Sequence, residues 1–169
     1  MKVVITDVSV LFDIHALKIL PEFFALKYEF CITDAVFYEI TKRDQIIEFE
    51  IFERTQKLKV IKFTEEEETE IGLFNWKYTN RSMKDKSILW KAMQLQSMVL
   101  TCDNTIKKEA EYRNLEVHGS IWVVVELEKN KIVSTKSAIE LLEQLKIVGD
   151  RLPIEKINMV IKRLKLKMY

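Results

Sequence analysis

Residues 2–7 read Lys-Val-Val-Ile-Thr-Asp, and this short stretch decides the fold class. It is a continuous apolar run of β-branched residues, which is typical of a strand buried on both faces of a parallel sheet. Asp7 stands where that strand should end. A carboxylate directly after a buried strand is costly unless something pairs with it. Asp7 is therefore the first candidate for a functional residue.

Similar short apolar runs recur along the chain and alternate with helical patterns. This alternation predicts an α/β fold, with a Rossmann-like parallel sheet of about five strands flanked by helices. The further strands are predicted at 30–33, 59–63, 98–101 and 115–118. Helices are predicted at 9–19 (closed by Pro21), 34–58 (capped by Asp34), 64–78 (opened by a Thr64/Glu67 capping box), 83–96 and 105–113.

The last third of the chain has only helical patterns, at 120–129, at 134–146 and from Pro153 to about Lys167. The 169 residues contain no evident linker, so we expect a single domain, residues 1–169, with a core at 1–120 and a helical extension at 120–169. The extension is basic from Lys146 onward, with seven basic and two acidic residues (7 − 2 = +5). It could follow an RNA backbone, or it could be a solvated amphipathic helix, and the two readings are compatible.

Composition excludes several functional classes. Lys and Arg number 27 against 26 Asp and Glu, so binding of nucleic acid by bulk charge alone is disfavoured. The two cysteines and two histidines have no zinc-ligand spacing, and three glycines are too few for an all-β fold. No signal-peptide pattern, Gly-rich phosphate loop or run long enough for a membrane span is present, so we expect a cytoplasmic protein without membrane attachment.

Four acids are predicted at or near the carboxyl edge of the sheet, where ligands of open α/β folds bind. Asp7 and Asp103 each follow a strand, Glu39 lies on the helix after the second strand, and Asp85 opens a helix. Each of the last three has a structural alternative, as a helix cap (Asp85, Asp103) or a solvated helix residue (Glu39). Two carboxylates about 4 Å apart repel by roughly 4 kcal/mol at an effective dielectric near 20, so a converging set needs a cation. Oxygen-only ligands suit Mg²⁺ or Mn²⁺, which can activate water for phosphodiester hydrolysis.

Four motifs around these acids resemble those of PIN-domain nucleases, particularly bacterial VapC-type proteins with a helical C-terminal extension. An acid stands in each, and the motifs are Val4-Ile-Thr-Asp7-Val-Ser9-Val-Leu11, Ile32-Thr-Asp-Ala-Val-Phe-Tyr-Glu39-Ile40, Lys84-Asp85-Lys-Ser-Ile-Leu-Trp-Lys-Ala92 and Val99-Leu-Thr101-Cys-Asp103-Asn104. Two departures are the Lys-Asp-Lys of the third motif and Cys102 in the fourth.

The resemblance implies a Mg²⁺- or Mn²⁺-dependent endoribonuclease, as the toxin of a toxin–antitoxin pair, with RNA as substrate, an antitoxin protein as partner and a homodimeric state. Its catalytic and metal-binding residues would be Asp7, Glu39, Asp85 and Asp103. Donors that orient those carboxylates would be Ser9, Thr101 and Asn104. The residues expected to contact RNA are Lys84, Lys86 and Arg151.

Two alternatives come from other functional classes. The first is a catalytically silent PIN fold that acts as an RNA- or protein-binding module. The second is a phospho-acceptor protein of Rossmann-like fold, but such phosphatases need Asp-x-Asp where this chain has Asp7-Val-Ser9, and the receiver pattern is also missing.

Overall fold

The central strand β1 (Lys2–Thr6) is buried from Val4 onward, as its apolar run predicts. The structure is a computed structural model, and it describes residues 1–77, 81–149 and 152–168. Parallel neighbours flank β1 on both sides, because Val4 pairs with Phe30 of one strand and Met98 of another. The other strands are β2 (Tyr28–Thr33), β3 (Leu58–Ile61), β4 (Met98–Leu100) and β5 (Val117–His118).

In the described residues the strands form one parallel five-stranded sheet in the order β3-β2-β1-β4-β5. The chain builds outward from β1 to β3 and then returns to the other side of β1 with β4. The strand order therefore reverses between β1 and β4, and in such sheets ligands bind at the carboxyl end of this crevice. The backbone N–H of Asp7 spans the crevice and donates a 2.7 Å hydrogen bond to the carbonyl of Leu100.

Helices cover the sheet, and the predicted α/β class is confirmed. The helices are α1 (Val8–Ala16), α2 (Leu20–Ala25), α3 (Asp34–Phe37), α4 (Arg43–Arg54), α5 (Glu65–Leu73), α6 (Met83–Leu95), α7 (Asn104–Tyr112), α8 (Ser120–Lys129), α9 (Thr135–Val148) and α10 (Ile154–Leu166). Helix α6 packs against β1, β2 and β4, while α8 and α10 both pack on α9, and α8 and α9 contact α1.

Three predicted helix boundaries are wrong. The stretch 34–58 is two helices, because a tight turn through Tyr38 and Glu39 brings Ile40 into the core. Pro21 does not close the first helical segment, since it lies in the first turn of α2, where its missing N–H costs nothing. Helix α5 ends at Leu73 and does not extend toward residue 78, which lies outside the described residues.

The C-terminal extension is helical, as expected. In α10 the side chains of Ile157, Ile161 and Leu164 are buried, which confirms its amphipathic reading, although Ile154 is exposed. Within the described ranges, none of the helices combines the length and the apolar character needed to cross a bilayer.

Candidate active site

Asp7 is the most buried of the four predicted acids, at 6% exposed, and it begins α1 as the N-cap residue. Its Oδ1 accepts a 2.8 Å hydrogen bond from the backbone N–H of Val8. Its Oδ2 accepts hydrogen bonds from the hydroxyls of Ser9 (2.7 Å) and Thr101 (3.0 Å). Ser9 and Thr101 therefore fix the orientation of the Asp7 carboxyl from two different elements.

Asp103 lies at the end of the neighbouring strand and caps α7. Its Oδ1 accepts hydrogen bonds from the N–H groups of Thr105 (2.7 Å) and Ile106 (2.9 Å). Its own N–H donates to the Thr101 hydroxyl at 3.0 Å, and that hydroxyl donates in turn to Asp7. One buried threonine therefore connects the two acids that follow β1 and β4.

Asp85 is joined to Asp103 through an arginine that the sequence analysis did not single out. The Nε of Arg81 lies 3.1 Å from Asp85 Oδ2, and a terminal nitrogen of the same guanidinium lies 3.2 Å from Asp103 Oδ2. Asp85 is 9% exposed, in the first turn of α6, where Ser82 accepts a hydrogen bond from its N–H. The structural alternative for Asp85 was a capping box with Ser82. Only one of its two hydrogen bonds is present, from the Asp85 N–H to Ser82, because the carboxylate of Asp85 faces Arg81.

Glu39 does not lie on a helix, contrary to the sequence-based expectation, but in the turn that follows α3. Its carboxylate forms an ion pair with the ammonium group of Lys84. Lys84 is also close enough to Asp85 and Asp7 to interact with both electrostatically. Two cations, Arg81 and Lys84, thus connect all four predicted acids, and we refer to Asp7, Glu39, Asp85 and Asp103 as the acid cluster.

The acids and cations of the cluster affect one another's pKa. Burial raises the pKa of the Asp7 carboxyl and Asp85 raises it further, against the hydrogen bonds from Ser9, Thr101 and Val8. Partial burial acts to raise the pKa of Asp103, but its helix N–H bonds and Arg81 outweigh burial and lower it. Burial acts to lower the pKa of Lys84, but Glu39 and the two neighbouring acids raise it.

The donor chemistry of the cluster fits a hard divalent cation, since every ligand on offer is a carboxylate oxygen. Burial is the main cause of the raised pKa of Asp7 and disfavours its charged form, which a cation beside the carboxylate would favour. In the described ranges, however, no three His, Cys, Asp or Glu side chains stand in a metal-binding arrangement. Arg81 and Lys84 form ion pairs with the acidic side chains instead. These ion pairs would have to break before the acids could converge on a metal ion.

A fifth carboxylate lies beside the cluster. Asp13 is 7% exposed and accepts a 2.5 Å hydrogen bond from the hydroxyl of Ser120 on α8. Cys102 contacts both, with its Sγ 3.1 Å from Ser120 Oγ and 3.6 Å from Asp13 Oδ2, and burial raises the pKa of its thiol. Asp13 follows Ser9 by four residues, and this i, i+4 spacing places both side chains on one helix face. That spacing is the sequence signal that could have identified Asp13 as part of the site.

The other predicted contact residues are less central. Asn104 is the exposed first residue of α7, and in the described residues its side chain makes no hydrogen bond to the acid cluster. Lys86 donates to the carbonyl of Gly72 at 3.1 Å, so its ammonium group is turned toward α5. Arg151 lies outside the described residues.

The chain matches a known protein family. A family model whose description is "PIN domain" matches residues 3–166, nearly the whole chain. A search of the curated proteins gave no match. The five-stranded parallel sheet with flanking helices agrees with the matched family description.

Proposed function

Since this chain belongs to the PIN-domain family, we propose that it is a divalent-metal-dependent endoribonuclease that hydrolyses phosphodiester bonds in RNA. One observation carries the proposal above all others. Asp7 and Asp103 follow the two strands at which the strand order reverses, and the Thr101 hydroxyl hydrogen-bonds to both of them. This is the edge of the sheet at which α/β enzymes bind their ligands.

Mg²⁺ or Mn²⁺ is the proposed cofactor, and Asp7, Glu39, Asp85 and Asp103 are the proposed ligands and catalytic residues. Such an ion supplies an activated water and neutralises charge on the phosphoryl oxygens. The protein's own contribution is orientation: Ser9 and Thr101 fix the direction of the Asp7 oxygens, and the N-terminus of α7 does the same for Asp103. Donors that lock a carboxylate in place raise the precision of a site.

Positive charge for the RNA backbone is available beside the acids. Once released from carboxylates, Arg81 and Lys84 could each contact a phosphate group, and Lys86 and Arg151 are the further contacts expected from the sequence. Lys86 would first have to leave the Gly72 carbonyl that it now contacts. We extend the proposal to the role of a cytoplasmic toxin with an antitoxin partner and a homodimeric state, which rests on the family resemblance alone.

The second candidate is a silent PIN fold that binds RNA or protein without cleaving it. The ion pairs of Arg81 and Lys84 favour it, because these two cations pair with three carboxylates of the cluster and offset most of their charge without a metal ion. A protein that had lost its cofactor would be stabilised by such internal cations.

Two measurements separate these candidates. Purified protein is incubated with a mixed pool of single-stranded RNA in Mn²⁺, in Mg²⁺ and in chelator, and the products are sized. The nuclease proposal predicts internal fragments only when a divalent ion is present, and calorimetry should detect Mn²⁺ binding. RNA binding without fragments and without Mn²⁺ binding would support the silent fold and overturn the nuclease proposal.

A further inference from the structure

A pocket of about 300 Å³ opens where β5 ends, between α7, the first turn of α8, and α10. It lies outside the acid cluster, and none of the sequence motifs predicts it. We call it the β5 pocket, and its walls include Lys107, His118, Gly119, Trp122, Lys156 and Arg163.

We propose that the β5 pocket binds one nucleotide of a single-stranded RNA, adjacent in the strand to the nucleotide held at the acid cluster. The inference rests on the proposed function, because it names how that substrate is held. It adds a binding site and a specificity element on the α7, α8 and α10 side of the sheet.

The charge of the pocket suits a phosphate group. Three cations line it, Lys107, Lys156 and Arg163, and Glu111 is the one acid among its described lining residues. Within the described part of the chain, Lys107 and Lys156 form no ion pair. Arg163 interacts electrostatically with Glu128 but does not form an ion pair with it in this part of the chain. Cations that the fold leaves without a carboxylate partner remain available to a ligand anion.

The rings of the pocket suit a base. His118 and Trp122 stack with ring centroids 4.5 Å apart and planes 10° apart. The Nε2–H of His118 donates a 3.0 Å hydrogen bond to the carboxylate of Glu116, which fixes the position of the ring. Base–aromatic stacking is worth about 1–3 kcal/mol per base in single-strand binders and does not depend on sequence. Proteins hold single-stranded nucleic acid by two elements, cationic side chains and stacking aromatic rings, and the β5 pocket has both.

The pocket and the acid cluster share a wall. Ser120 lines the pocket, and its hydroxyl lies 3.1 Å from the thiol of Cys102. The N–H of Cys102 donates to Ser9, which donates to Asp7. One short chain of contacting polar groups, from Ser120 through Cys102 and Ser9, therefore connects the wall of the pocket to Asp7.

Gly119 keeps this wall thin. A Cβ atom at this position would lie 3.1 Å from the carbonyl oxygen of Thr101 and 3.3 Å from the ammonium nitrogen of Lys107. A side chain here would push Lys107 away from the pocket and press on the strand end that carries Asp103. The absence of a side chain at Gly119 leaves room for the ammonium group of Lys107 beside the end of β4.

The test measures binding in chelator, so that it does not depend on cleavage. The probe is a fluorescently labelled single-stranded RNA of about six nucleotides, within the site sizes of single-strand binders. A double variant, Lys156→Ala with Arg163→Ala, removes two pocket cations at exposed positions of α10. Its matched control, Lys162→Ala with Lys165→Ala, removes two exposed cations of the same helix that lie outside the pocket. Uridine monophosphate and inorganic phosphate serve as competitors, and both variants are checked for unchanged thermal unfolding.

We expect the pocket variant to bind the RNA about tenfold more weakly and the control variant less than about twofold more weakly. The slope of log affinity against log salt should become shallower by about 0.7 in the pocket variant, since about 0.7 is lost per phosphate contact to a single strand and the pocket holds one phosphate. Uridine monophosphate should compete at a lower concentration than inorganic phosphate, because only the nucleotide can stack.

Equal weakening in the two double variants would show binding by general charge and overturn the inference, as would equal competition by phosphate and nucleotide. Cleavage by the wild type in Mn²⁺, with binding in chelator indifferent to the pocket variant, would reject the pocket and leave the nuclease proposal standing. Pocket-dependent binding without any cleavage would support the pocket and reject the nuclease proposal.

Discussion

The hydroxyl of Thr101 donates a 3.0 Å hydrogen bond to the carboxyl of Asp7 across the gap between β4 and β1. The same oxygen accepts the N–H of Asp103, so a single fully buried side chain serves two acids of the cluster. Thr101 therefore links the ends of β1 and β4 and also affects the electrostatics of the candidate site.

Replacement of Thr101 by valine keeps the shape of the side chain and removes both hydrogen bonds. Asp7 would lose a donor and the Asp103 N–H would lose the acceptor that the fully buried Thr101 side chain provides, which should lower the free energy of unfolding by about 1–3 kcal/mol. Urea unfolding at neutral pH measures this. Thr69→Val is the control, since its exposed hydroxyl bonds only to a carbonyl of its own helix. Equal losses in the two variants would contradict a special role for Thr101.

Replacement of Arg81 by glutamine removes the cation that joins Asp85 and Asp103. In chelator we expect a loss of about 1 kcal/mol in the free energy of unfolding, the upper range for a partly exposed ion pair. Mn²⁺ should then raise the melting temperature of the variant more than that of the wild type, because the carboxylates have lost a competing cation. Arg54→Gln, which breaks an exposed pair with Glu50 on α4, is the matched control. A Mn²⁺ shift equal in Arg81→Gln and wild type would show that Arg81 does not compete with metal.

Tyr28 gives a prediction on pH that is independent of the acid cluster. Burial, and then its 3.0 Å hydrogen bond to Glu126 of α8, raise the pKa of Tyr28 from 10.0 to about 12. The unfolded chain releases this proton first, so the stability that Tyr28 contributes is complete below pH 10 and is lost as the pH rises toward about 12.

Tyrosinate absorbance should therefore show one late-titrating group in the wild type that is missing in Tyr28→Phe. The difference in free energy of unfolding between the two proteins should shrink across the same pH interval. Tyr38→Phe is the control, since Tyr38 is 74% exposed. A late group that persists in Tyr28→Phe would refute the assignment.

The sequence was sufficient for the parts of the fold that depend on local pattern. The β-branched run at 2–6 predicts β1, and the Thr64/Glu67 capping box is present with both of its hydrogen bonds. Asp103 is the N-cap of α7, so its structural alternative is realised together with its position at the strand end. A cap residue can do both, because only one of its oxygens is needed to cap the helix.

The features that the sequence did not predict depend on tertiary packing. The turn at Tyr38 and Glu39 interrupts a stretch of good helix formers because Ile40 reaches the core there, and helical periodicity does not contain that information. Arg81 lies between two predicted helices, and its pairing with both Asp85 and Asp103 depends on the fold bringing α6 and α7 together. The β5 pocket likewise joins residues from α7, β5, α8 and α10 that are far apart in the chain.

RNA cleavage in Mn²⁺ by the Asp7→Asn variant beside the wild type tests whether a metal site built on Asp7 hydrolyses RNA. Asp34→Asn is the control, since Asp34 also follows a strand but its carboxylate accepts only from the N–H of Ala35 among the described contacts. We predict Mn²⁺-dependent cleavage by the wild type and by Asp34→Asn, and a loss of about a hundredfold in Asp7→Asn, at the upper end of the losses seen on mutation of groups that support metal ligands. Equal cleavage by the wild type and Asp7→Asn, or no cleavage by either, would contradict a metal-dependent nuclease built on Asp7.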